Sequence, residues 1–95
     1  MLVALGSERT DYVLLVKPQF EAGRAKVPRG GVVSDPRVHR EVLTRVIEGL
    51  ADAGLAIRAV MPSPRPGAKG NVEYLAWARQ GKTPVSVSDL EAILP

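Results

Sequence analysis

The 95-residue sequence contains no cysteine, so neither a disulfide framework nor a thiolate metal site can be built from it. Its lone histidine, His39, cannot make a metal site by itself. No window approaches the roughly 18 consecutive apolar residues of a membrane helix. The amino terminus lacks the basic, apolar, small-residue order of a signal peptide, which leaves the cytoplasm as the simplest expected compartment. Aromatic residues are only 4% of the chain, and no low-complexity tract or internal repeat is present. What remains is ordinary globular composition, 45% hydrophobic and 24% charged. At this length the expectation is one domain with one modest core.

The most constraining stretch is Tyr12-Val13-Leu14-Leu15-Val16, followed at once by Lys17-Pro18-Gln19-Phe20-Glu21. Five consecutive apolar residues read as a strand buried on both faces, as in the sheets of α/β proteins. Pro18 holds Lys17 extended at the strand's carboxyl end, where such sheets bind ligands. Residues Ala22 to Ser34 have neither helical nor strand period and form a long loop. Asp35-Pro36 then opens a helix, with a capping side chain and a proline at the first helical position. Val38, Val42, Leu43, Val46, Ile47 and Leu50 follow the spacing of one apolar face, and Glu41 can pair with Arg45.

Gly54 ends that helix, and Leu55 to Met61 read as a second strand, parallel to the first by the crossover rule. The connection Pro62 to Asn71 is rich in proline and glycine and leads to a third strand, about Val72 to Arg79. It has no room for a helix, so the third strand returns antiparallel. In the tail, Ser88 and Glu91 have capping-box spacing ahead of a short helix from Asp89 to Leu94. Met1 to Gly6 resembles the last turn of a helix with its glycine stop.

This topology brings Lys17, the loop 22–34, the loop 62–71 and Glu73 to one sheet edge. A lysine and a glutamate meeting there are either an ordinary ion pair or an amine poised beside a reacting hydroxyl. Between Ala22 and Arg40 lie Arg24, Lys26, Arg29, Arg37 and Arg40 against Asp35 alone. Such clustering suits a polyanionic partner or a plain solvated basic surface. The glycines around Lys69 lack the Gly-Lys-Ser/Thr order of a Walker loop and read as a turn.

The blocks Leu15-Val16-Lys17-Pro18-Gln19-Phe20-Glu21, Gly30-Gly31-Val32-Val33 with Asp35-Pro36 and His39-Arg40-Glu41-Val42-Leu43, and Gly70-Asn71-Val72-Glu73-Tyr74-Leu75 after Ser63-Pro64 resemble the carboxyl-terminal half of TlyA-type proteins. These are hemolysin-named, FtsJ-like ribosomal RNA 2′-O-methyltransferases. The resemblance covers about residues 1–79 and leaves 80–95 as a tail. It implies part of a Rossmann-like α/β methyltransferase sheet, with the third strand slotted antiparallel between the other two. It also implies S-adenosylmethionine as methyl donor, ribosomal RNA as partner, and a catalytic set of lysine, aspartate, lysine and glutamate. Lys17 matches the second lysine and Glu73 the glutamate.

No Gly-x-Gly loop follows a strand in this sequence, so the donor-holding half, the first lysine and the aspartate are without counterparts. The expectation is a catalytic-edge segment of a cytidine 2′-O-methyltransferase that is inactive alone and binds no donor tightly. Arg24, Lys26, Arg29, Arg65 and Lys69 are its candidate phosphate contacts. The alternative is a non-catalytic RNA-binding or assembly module. One helix covers only one face of the sheet, so a free chain is expected to expose an apolar face and associate as a homo-oligomer.

Overall fold

The computed structural model describes residues 11–81, 90 and 92–94. Strand β1, Tyr12–Val16, leads through Lys17 into the one-turn helix α1, Pro18–Glu21. A 3₁₀ turn at Arg24–Lys26 interrupts the expected loop before the long helix α2, Pro36–Asp52. Strand β2, Leu55–Pro62, then a second 3₁₀ turn at Ala68–Gly70, and strand β3, Tyr74–Gln80, complete the order. Met1 to Gly6 and the capping pair Ser88 and Glu91 lie outside the described residues.

The local signals act as the sequence implies. Asp35 accepts a hydrogen bond from the backbone N–H of Arg37, which satisfies one free donor of the first turn of α2. The Arg37 guanidinium and that same backbone N–H hold the Asp35 carboxyl below its ordinary value. At the other end Gly54 takes φ +86, a conformation that favours glycine, and turns the chain into β2. Glu41 and Arg45 pair at 2.9 Å one turn apart.

The sheet order is β1-β3-β2, with β3 antiparallel to both neighbours. β1 and β2 thus run in the same direction but do not pair, because β3 lies between them. Val13 faces Trp77 and Leu15 faces Leu75 across one pair, while Ala59 and Met61 oppose the same two residues across the other. A register shift between Ile57 and Ala59 leaves Arg58 unpaired in the ladder and exposed.

One side of the sheet is the core. Tyr12, Leu14, Val16, Ile57, Tyr74, Ala76 and Ala78 pack with Val42, Leu43, Val46, Ile47 and Leu50 of α2. Leu90 joins that cluster, with Ile93 and Leu94 against it, so the tail contributes to the core. The opposite side corrects the expectation of a first strand buried on both faces. Val13 is 68% exposed, and Leu15, Met61 and Trp77 are exposed beside it. α2 covers one face only, and the alternation of the strand sends every second residue to the other.

Candidate functional site

Lys17 follows β1 directly and caps α1 in an extended conformation, φ −113 and ψ 97, as the following proline favours. Its carbonyl accepts the N–H groups of Phe20 and Glu21, both at 3.0 Å, so α1 grows directly from it. Pro18 is buried, which anchors the turn from below. The lysine's Nζ thereby reaches 4.0 Å from Glu73 Oε2 and 5.7 Å from the centre of the Phe20 ring. A cation over an aromatic face at that range is attracted to it, which limits the amine's freedom on that side.

Glu73 immediately precedes β3 and is 5% exposed. Its carbonyl accepts the Ser63 N–H at 2.7 Å, and its Oε2 accepts Gln19 Nε2 at 2.6 Å. Gly67 covers the carboxylate so closely that a Cβ there would lie 1.9 Å from Oε2. The ion pair with Lys17 is therefore long, and the amide of Gln19 is the nearer partner.

Two polar networks, neither anticipated from the sequence, fix the loops around this pair. Asn71, 2% exposed, accepts the Val33 N–H at 2.9 Å and donates to the carbonyls of Gly31 at 2.8 Å and Ala68 at 2.9 Å. It clamps the two loops together. Behind it, His39 is fully buried on α2, with Nε2 2.6 Å from the Val33 carbonyl and Nδ1 2.7 Å from Tyr74 Oη. A carbonyl can only accept, so Nε2 carries a proton; in the neutral ring Nδ1 then accepts the Tyr74 hydroxyl. Burial pushes the Tyr74 hydroxyl up to about 12. His39 does fall on the helix's buried face, one turn before Leu43 and seven residues before Val46, and that spacing was the available signal.

The basic residues divide. Arg24 lines a hollow with Gln19, Phe20, Gly23 and Val27. Lys69, at φ 60, lines a second with Gln19, Phe20, Gly31 and Asn71. Both hollows reach Phe20, next in the fold to the Lys17–Glu73 pair. Lys26 instead pairs with Glu41 on α2, where it and Arg45 hold the Glu41 carboxyl below its ordinary value. Arg29 and Arg65 are exposed, the latter donating its backbone N–H to Ser63 Oγ at 3.3 Å.

This chain is similar to the FtsJ-like methyltransferases over residues 4–80. It belongs to the FtsJ-like methyltransferase family. It is 44% identical over 78 residues to the 16S/23S rRNA (cytidine-2′-O)-methyltransferase TlyA of Mycobacterium tuberculosis, covering 82% of this chain and 29% of that relative. It is 43% identical over 65 residues to Hemolysin A of Brachyspira hyodysenteriae, covering 68% of this chain and 27% of that one. Solved structures with hemolysin names are similar too. That from Streptococcus thermophilus has TM-score 0.75 at 34% identity, over 86% of this chain and 31% of the other. That from Lactococcus lactis has TM-score 0.77 at 30% identity, over 87% and 42%. This FtsJ-like chain thus spans less than a third of the length of the curated relatives it matches.

FtsJ-like enzymes generally use S-adenosylmethionine, and the described residues do not fit it. Among the described residues no glycine loop leads from a strand into a helix, since β1 runs through Lys17-Pro18 and α2 opens on Asp35-Pro36. Glu73, the buried acid at this edge, already serves Gln19. Among the described residues no three His, Cys, Asp or Glu side chains converge on a metal position, and no helix is long and apolar enough to cross a membrane.

Proposed function

We propose that this chain forms the lysine–glutamate edge of a ribosomal RNA 2′-O-methyltransferase site, acting on cytidine as the mycobacterial relative's name describes. The observation that carries the reading is the approach of Lys17 Nζ to within 4.0 Å of the buried Glu73 carboxylate, at the carboxyl end of a sheet strand. In its neutral form the Lys17 amine accepts the proton of a ribose 2′-hydroxyl, and the oxygen so activated is the group to be methylated. Glu73 orients the amine. Arg24 and Lys69, on either side of Phe20, receive the flanking phosphates, with Arg29, Arg65 and Lys26 further out.

The methyl donor, S-adenosylmethionine, is held by residues other than those described, which accords with relatives of which this chain covers less than a third. The 95-residue chain alone is accordingly inactive, and micromolar donor binding by calorimetry would sink that statement. An rRNA substrate implies a cytoplasmic protein.

A chimera tests the function. With this chain in place of the matching 78 residues of the mycobacterial relative, rRNA methylation is expected to persist. Glu73→Gln in that chimera is expected to lower kcat while RNA affinity holds. If the isolated chain binds RNA in a salt-dependent way and the chimera is inert although folded, the non-catalytic RNA-binding reading replaces this one.

A further inference from the structure

We propose that Gln19 is a positioning residue that occupies the near side of the Glu73 carboxylate and so keeps the Lys17 amine apart from it, open to substrate. The proposal rests on the reading of Lys17 and Glu73 as the reacting edge. Gln19 Nε2 lies 2.6 Å from Glu73 Oε2, short for an N–H donor, as bonds to a charged acceptor tend to be. Lys17 Nζ stands 4.0 Å from the same oxygen, beyond hydrogen-bond reach. One oxygen therefore has two cationic or donor neighbours, and the neutral amide holds the closer place.

The amide's orientation follows from chemistry. Turned over, it would set two oxygens against each other at 2.6 Å, so the NH₂ group must face the carboxylate. That leaves Gln19 Oε1 buried with no hydrogen-bond partner among the described residues. An orphaned buried carbonyl is destabilising in itself. The return on that cost is the single donor placed on Glu73.

Neither neighbour is free to rearrange. Gln19 is in the one-turn helix anchored on the Lys17 carbonyl, two residues from the lysine it restrains. On the other side Gly67 lies against Oε2 with no space for even a methyl group. The Lys17 amine itself lies 5.7 Å from the centre of the Phe20 ring and is held by no hydrogen bond to Glu73 at 4.0 Å. Remove the amide donor, and the ammonium is the group that closes on Glu73.

The test follows the Lys17 ammonium by NMR of its Cε and Nζ in the labelled 95-residue chain. Gln19→Leu removes the orphaned carbonyl and the donor to Glu73 together, and the thermal midpoint is expected to change little as the Lys17 ammonium takes the donor's place. The substitution is expected to slow the solvent exchange of the Lys17 ammonium protons several-fold, as the amine closes to direct contact with Glu73. A folded Gln19→Leu chain whose Lys17 ammonium exchanges as fast as in the unsubstituted chain overturns the proposal. Should that variant fail to fold, Gln19→Glu keeps the size and replaces the donor. The donor is then gone and two carboxyls face the ammonium, so slowed exchange of the Lys17 ammonium protons is expected again. Unchanged exchange there overturns the proposal equally. Because the readout is Lys17 itself, it stands or falls separately from catalysis, which is read by methyl transfer after Lys17→Ala.

Discussion

His39 Nδ1 lies 2.7 Å from Tyr74 Oη, and this buried pair joins α2 to the start of β3, one residue beyond Glu73. Tyr74→Phe keeps the ring and removes the hydroxyl, leaving a buried imidazole nitrogen unpaired. The expected cost is about 1–3 kcal/mol, and for a domain of this size each kcal/mol lowers the melting midpoint by roughly 4–8 °C. Alkaline pH gives a second readout. The folded hydroxyl titrates at about 12, above the ordinary 10.0. Its contribution is complete below the lower value and lost as pH rises through the higher one. Between those values the wild-type chain is expected to lose stability with a slope that Tyr74→Phe lacks.

Asn71 clamps the two loops through three hydrogen bonds. Asn71→Ala is expected to cost about 2–4 kcal/mol, at roughly 0.5–1.5 per bond. Asn71→Asp is the sharper test. Its carboxylate still accepts from Val33 N–H, but faces the Gly31 and Ala68 carbonyls without a donor. Thermal melts are expected to show Asn71→Asp destabilised at neutral pH and partly restored as pH falls and the carboxyl gains a proton.

Gly67 has φ −79, which any residue adopts without strain. The damage from Gly67→Ala is therefore contact with Glu73 alone, where the new Cβ would meet Oε2 at 1.9 Å. Gly67→Ala is expected to destabilise the chain by about 1–3 kcal/mol, and to be nearly silent when Glu73 is already alanine. Equal losses in both backgrounds in a double-mutant cycle would contradict this packing.

Much of this architecture was legible because it rests on short-range signals. Asp35-Pro36 and Gly54 punctuate α2 through their own backbone chemistry, and Pro18 sets the conformation of Lys17. Lys17 and Glu73 were traceable to one edge from topology and from the family resemblance. The long-range polar contacts were not legible. Asn71 reads as a turn residue until Val33, 38 positions away, is brought to it. Gln19 reads as a surface amide until the loop over Glu73 closes on it. The first strand's apolar run suggested two covered faces, whereas cover depends on what packs against a strand and not on the strand's own residues.

The exposed row of Val13, Leu15, Met61 and Trp77 supports self-association. Light scattering of the 95-residue chain is expected to show a mass that rises with concentration. Trp77, the sole tryptophan, should report burial by a blue shift of its emission. Val13→Lys, on the most exposed of these sites, is expected to return the chain to a monomer. A monodisperse wild-type monomer at high concentration would contradict this.

The most direct measurement of the central claim is single-turnover methyl transfer to rRNA by the chimera, with and without Lys17→Ala. Loss of a general base is expected to slow the chemical step by about 10²–10⁴-fold, with RNA affinity and the thermal midpoint little changed, since the Lys17 side chain is 42% exposed. A rate within about threefold of the unsubstituted chimera, well short of that range, would contradict the role of Lys17.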